Sequence, residues 1–251
     1  MNIEEQTQEK IGFVFIYGAG LERRIWEKVV AGFEYPCLLV DFPLRNDKNE
    51  SRQELTLENY VSYIKRQVEE WEVQKFVIVA HSLGGIIALQ VAADLSDRLV
   101  GFVAIGAAIP KKGGSFLSIL PFPKRILMSI LLRKLGTRPP ESAIHSSLCN
   151  DLSPEQAAEV VRGFVPESIR VYTDKIDTSV PTVPKLYLKL KKDKEFSQSQ
   201  QDKMISNFSP QHIKSLNTGH LPMLSDPDGL RLALQIFLDE SVLGQTKKHK
   251  Y

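Results

Sequence analysis

The chain has 251 residues, of which 43% are apolar and 25% charged, with a net charge of +2: the make-up of a soluble globular protein with ample length for a buried core. So small a charge gives no reason to expect nucleic acid as a partner, and two distant cysteines, Cys37 and Cys149, give neither a disulfide framework nor a zinc spacing. No apolar run is long enough to span a bilayer, and the polar first ten residues lack the apolar core of a signal peptide, so the expected location is the cytoplasm.

Taken in order, residues 12–17 form an apolar, β-prone run, and residues 36–40 form a second one that ends at Asp41. Residues 56–71 place Leu57, Tyr60, Ile64 and Val68 on one helical face. Residues 76–80 read as a strand, 83–95 as a helix and 99–105 as a strand. The alternation predicts a mostly parallel central sheet with flanking helices, an α/β fold. The rhythm stops at about residue 107 and resumes at 185. Within this gap, residues 123–135 are strongly apolar (Ile126, Leu127, Ile130, Leu131), with Lys124, Arg125, Arg133 and Lys134 at the ends. A second helix starts at Ser153-Pro154-Glu155-Gln156, where the serine caps, the proline suits the first turn and the glutamine completes a capping box. Residues 107–184 therefore read as a helical lid inserted into a single domain spanning 1–251. Strand 185–190, helix 199–206, strand 212–216 and helix 228–238 follow. The basic tail, 247–251, reads as a solvated terminus.

The most informative stretch is Ala80-His81-Ser82-Leu83-Gly84-Gly85. An apolar strand runs into Ser82 and a helix begins directly after it, with small residues two before and two after the serine. Such a turn lifts a serine hydroxyl above the sheet, and the helix N-terminus favours negative charge developing there. The blander reading is a tight strand-to-helix turn with a capping serine. A nucleophilic serine also needs two hydrogen-bond donors for an oxyanion. The amide of Leu83 is one, and the loop Tyr17-Gly18-Ala19-Gly20 supplies the amide of Ala19 as the second.

The base must come from His81, His145, His212, His220 or His249. His81 adjoins the serine and should point away from it, His145 lies in the insertion, His212 opens a strand and His249 is in the tail. His220 lies in the loop after the last strand, from where an imidazole can reach back over the sheet. The acid should follow the preceding strand, where Asp193 and Glu195 are the choices, unless both belong to a solvated charge cluster. Asp41 precedes the serine and reads as a turn residue.

These residues resemble the α/β-hydrolase superfamily, and within it the small serine esterases that include plant methylesterases, hydroxynitrile lyases and bacterial relatives. The resemblance rests on Phe15-Ile16-Tyr17-Gly18-Ala19-Gly20 with Trp26 downstream, on Ala80 to Gly85, on the stretch from Tyr187 to Asp193, and on Gly219-His220 followed by Met223-Leu224. It implies an α/β-hydrolase fold, Asp193 as the acid, and the amides of Ala19 and Leu83 as the oxyanion hole. Position also favours Asp193: a carboxylate three residues past Leu190 can turn back under His220, whereas Glu195 adjoins the next helix. The family commonly has histidine where this chain has Tyr17 and glycine where it has Ala80. The lyases carry lysine where it has Leu221.

Together these points predict a serine hydrolase that cleaves a small-molecule carboxylic ester or thioester through an acyl-enzyme, with no metal or organic cofactor. The alternatives are an acyltransferase or a carbon–carbon bond hydrolase on the same triad, or a non-catalytic small-molecule receptor. The substrate pocket is expected at Gly18, Ile126 and Ile130. The sequence sets no oligomeric state.

Overall fold

The computed structural model describes residues 10–45 and 52–244; the polar N-terminal residues 1–9 and the basic tail lie outside them. Six strands form one sheet: β1 (Ile11–Ile16), β2 (Cys37–Leu39), β3 (Lys75–His81), β4 (Leu99–Ile105), β5 (Lys185–Leu190) and β6 (His212–Leu216). Their spatial order is β2-β1-β3-β4-β5-β6, and every neighbouring pair is parallel. β1, β3 and β4 are continuous apolar runs because helices cover both faces of a parallel sheet. Outer strand β6 instead alternates between half-buried and exposed residues.

The helices are built as the sequence pattern requires. α1 (Leu57–Glu69) is capped by Thr56, whose hydroxyl accepts from the Asn59 amide at 3.1 Å while Asn59 Oδ1 accepts from the Thr56 amide at 2.8 Å. It buries Leu57, Tyr60, Val61, Ile64 and Val68. α2 (Gly84–Asp94) is buried almost all round, as a helix behind the centre of the sheet must be. Between β4 and β5 come α3 (Phe122–Leu135), α4 (Pro154–Gly163) and α5 (Ile169–Thr173), joined by shorter turns. Ser153 caps α4, with the Gln156 amide 3.3 Å from its hydroxyl. α6 (Gln198–Phe208) follows β5, and α7 (Pro227–Phe237) comes after β6. Among the described residues no helix is long and apolar enough to cross a membrane.

Two features of this topology position the site. All strands are parallel, so their C-terminal ends share one edge, and the loops after β1, β3, β5 and β6 meet there. β2 lies on one side of β1 and β3 on the other, so the chain reverses its direction of travel at β1. In open α/β sheets a crevice opens at such a reversal, at the C-terminal ends of the strands. Here the loops beside it carry Ala19 and Ser82.

Candidate active site

Ser82 follows β3 directly and has φ 51°, a left-handed conformation that side chains other than glycine rarely adopt. The surroundings enforce it. The Ser82 amide donates to the Ile105 carbonyl at 3.3 Å, and its own carbonyl accepts from the amides of Gly85 at 3.0 Å and Ala108 at 2.9 Å. Close approach explains two glycines. A Cβ on Gly84 would stand 2.5 Å from the Tyr17 carbonyl oxygen, and one on Gly18 would stand 2.8 Å from Ser82 Cβ. Ala80 is fully buried in β3, in register with Ile16 and Ala104.

His220 Nε2 lies 2.9 Å from Ser82 Oγ, and His220 Nδ1 lies 2.9 Å from Asp193 Oδ2. The other Asp193 oxygen accepts from the amides of Glu195 at 2.8 Å and Phe196 at 3.1 Å. Burial alone would raise the Asp193 carboxyl, but His220 and those two amides hold it below the ordinary carboxylate value. Burial would likewise lower His220, yet the Asp193 carboxylate beside it raises its value above the ordinary 6.5. With Asp193 ionised, Nδ1–H donates to it, which leaves Nε2 free to accept the serine proton. Glu195 does not reach His220; its carboxylate is hydrogen-bonded to the Ser147 hydroxyl of the insertion.

A cavity of about 210 Å³ opens above the serine. Ala19, Ser82 and His220 stand at its floor, and Phe116, Leu120, Met128, Leu132, Phe164 and Phe196 supply apolar wall. The residues expected to form the pocket do not. Ile126 and Ile130 are 47% and 46% exposed on the outer side of α3, whose cavity-facing residues are Lys124, Met128 and Leu132. The reason is helical geometry: positions 124, 128 and 132 share a face, and two residues further on the chain has turned by about 200°. Gly18 is buried against His81 and Ser82, behind the cavity rather than in its wall. A larger hollow of about 550 Å³ lies between the segment after Gly20 and α4, but neither Ser82 nor His220 lines it.

The fold has counterparts among known proteins. A model described as the alpha/beta hydrolase family matches residues 13–231. The chain belongs to the alpha/beta hydrolase family. Methylesterase 17 of Arabidopsis thaliana is 24% identical over 246 residues, covering 86% of this chain and 87% of the relative. Putative esterase/lipase 2 of Mycoplasma pneumoniae is 30% identical over 130 residues, which span half of this chain and 46% of the relative. Among solved structures, an extracellular alpha/beta-hydrolase from a Paenibacillus species superposes with a TM-score of 0.80 at 18% identity, covering 90% of this chain and 98% of that one.

The site is braced by contacts of which little was visible in the sequence. Tyr17 stands where the family commonly has histidine. Its hydroxyl accepts from the Phe42 amide at 2.8 Å and from Arg45 Nε at 3.1 Å. Arg45 in turn pairs with Glu167 of the insertion, the two side chains being 4% and 0% exposed. Glu167 also accepts from the Tyr60 hydroxyl at 2.9 Å and from the Gly20 amide at 3.4 Å. Burial would lower the Arg45 value, but Glu167 and Tyr17 beside it raise it, and the guanidinium stays charged. The buried pair thus fastens the loop that carries Ala19 to the insertion, and an antiparallel bridge from Gly20 to Val165 does the same.

A second brace holds His220. His81 does not simply turn away from the site: its ring centroid is 4.7 Å from that of His220, and its Nε2 lies 2.8 Å from the His220 carbonyl oxygen. Burial, with His220 alongside, lowers His81 to about 3, so its ring stays neutral and donates to that carbonyl. From the insertion, Asp151 accepts from the Gly219 amide and Asn150 donates to the Lys192 carbonyl at 3.0 Å. Among the described residues, no group of three or more histidine, cysteine, aspartate or glutamate side chains could hold a metal ion.

Proposed function

We propose that the protein is a serine ester hydrolase that works through an acyl-enzyme. The observation that carries this is the unbroken chain from Ser82 Oγ through His220 to Asp193, with both links at 2.9 Å, on the floor of an apolar cavity. In the first step Ser82 Oγ attacks the ester carbonyl carbon while its proton passes to His220 Nε2. The carbonyl oxygen, now negative, is held by the amides of Ala19 and Leu83. Ala19 lines the cavity, and Leu83 stands at the N-terminal end of α2, where amides lack acceptors within the helix. The leaving alcohol takes the proton from His220. Water then attacks the acyl carbon as His220 Nε2 takes its proton; the bond from that carbon to Ser82 Oγ breaks, the acid leaves, and Oγ takes the proton back from His220. Asp193 fixes the imidazole tautomer and stabilises the imidazolium.

The insertion is the roof of the site, and its apolar wall suits an apolar substituent on a small-molecule ester or thioester. The named activities of the relatives, methylesterase and esterase/lipase, support the same reaction class. The test is a fluorophosphonate probe followed by p-nitrophenyl esters of increasing acyl length. The wild type should label and turn over, and Ser82→Ala should do neither. A folded wild type that resists the probe would overturn the proposal, and tight ligand binding without turnover would point instead to a receptor.

A further inference from the structure

Helix α3 buries none of its residues. One side roofs the cavity with Lys124, Met128 and Leu132. The rest of its surface presents Phe122, Ile126, Leu127, Ile130, Leu131 and Leu135, which are 38–74% exposed and do not line the cavity. Among the described residues nine large apolar side chains are exposed, and these six share one helix. Exposed apolar side chains scattered singly are ordinary, but a contiguous patch marks a surface that something covers.

Charge identifies what covers it. The whole chain is nearly balanced, with 32 basic and 30 acidic residues. Yet residues 107–140 hold seven basic residues (Lys111, Lys112, Lys124, Arg125, Arg133, Lys134, Arg138) and no acidic residue. Some are engaged locally: Arg125 donates to the Ser118 carbonyl at 2.8 Å, Arg138 to the Phe164 carbonyl at 2.6 Å, and Lys112 approaches Asp177 at 3.6 Å. Among the described residues no carboxylate pairs with Lys124, Arg133 or Lys134, and the last two stand exposed in the final turn of α3. An apolar helix face flanked by unpaired cations matches the interface of an anionic lipid layer, where the side chains sink below the headgroups and the cations meet phosphate.

We infer that α3 is an interfacial helix that docks the protein on an anionic lipid surface. One helix then joins two tasks, since the side opposite the lipid walls the space above Ser82. The inference does not depend on the hydrolase reading, because its test reads binding alone.

The full chain is mixed with vesicles of phosphatidylcholine, or of phosphatidylcholine with phosphatidylglycerol, and its partition is measured by co-sedimentation. The wild type should bind the anionic vesicles at low salt and lose most of that binding with neutral vesicles. Leu127→Ser with Leu131→Ser should weaken binding more than about tenfold. Arg133→Gln with Lys134→Gln should weaken it roughly thirtyfold. All four sites are exposed or nearly so and away from the cavity wall, so the variants should melt like the wild type. The second pair keeps the test valid if the first fails to fold. Equal binding to both vesicle types, no binding at all, or variants that bind as well as the wild type would overturn the inference. So would a dimer that sediments without vesicles and falls apart in Leu127→Ser with Leu131→Ser, since a second copy would then cover the face.

Discussion

Helix α3 and the loop that carries His220 face the same cavity and are held in opposite ways. The loop is fastened at each step: Thr218 accepts from the Lys192 amide at 2.9 Å, Gly219 donates to Asp151, and the His220 carbonyl receives His81. Its imidazole is then gripped between Ser82 and Asp193. α3 has no buried residue; half-buried Met128 and Leu132 pack against the core, and Arg125 adds a hydrogen bond to the Ser118 carbonyl. The reacting groups must stay within a fraction of an ångström of their working geometry, and only a heavily bonded loop keeps them there. A roof that admits a substrate has the opposite need, and a lightly held element opens at low cost.

The comparison breaks most completely at Ser82. Ser82→Ala removes the proposed nucleophile and leaves every brace in place, so turnover should fall by roughly 10⁴–10⁶ with the melting temperature unchanged. Purified Ser82→Ala with near-normal esterase activity would sink the mechanism.

Next in size is the grip on the imidazole. Asp193→Asn keeps the shape and loses the charge, and should lower turnover by roughly 10²–10⁴. Glu195→Gln should change little, because that carboxylate bonds Ser147 and not His220. Measuring both at equal folded concentration decides between the two acids.

The brace behind the loop that carries Ala19 comes third. Arg45→Met would leave the Glu167 carboxylate buried without its cation, at a cost of roughly 3–5 kcal/mol in stability. The urea midpoint reads this directly. A shift within error would mean that water reaches Glu167 and that the pair braces nothing.

The sequence made the strands legible because β1, β3 and β4 are uninterrupted apolar runs whose ends coincide with turns. The meeting of Ser82, His220 and Asp193 was legible too, since each follows a parallel strand and must therefore reach the same edge. The braces were not. Arg45, Glu167 and Asp151 lie on three loops whose packing no periodicity encodes, and a buried Arg–Glu pair looks like two surface charges in a sequence. The roof was misread for a related reason. α3 is apolar on both sides, so hydrophobicity alone could not say whether Ile126 or Met128 faces inward.

A smaller effect concerns pH. His220 must be neutral to accept the serine proton, and its value is raised above 6.5. The acid limb of kcat/KM should therefore fall above pH 6.5, and Asp193→Asn should move it down. Stability runs the other way. A raised histidine value stabilises the fold fully below its unfolded value and loses that contribution as pH rises through the folded one. Activity should thus climb over the same window in which this part of the stability declines. A limb below 6.5 in the wild type would show that Asp193 does not charge the imidazole environment as the geometry implies.

The gentlest test separates the two sides of α3. Met128 and Leu132 line the cavity, while Ile126 and Ile130 face outward. A polar side chain at 128 or 132 removes apolar wall from the space that an acyl chain would fill. The loss is about 0.8 kcal/mol for each methylene that goes uncovered, so its effect grows with chain length. Met128→Ser and Leu132→Ser should raise KM several-fold for octanoate esters and hardly at all for acetate esters, with kcat nearly constant. Ile126→Ser and Ile130→Ser should leave KM unchanged for both when the ester is dissolved as monomer. The contrast would collapse if the outward variants raised KM as much as the inward ones. α3 would then rotate when substrate enters, and the roof would be more loosely held than its half-buried contacts indicate.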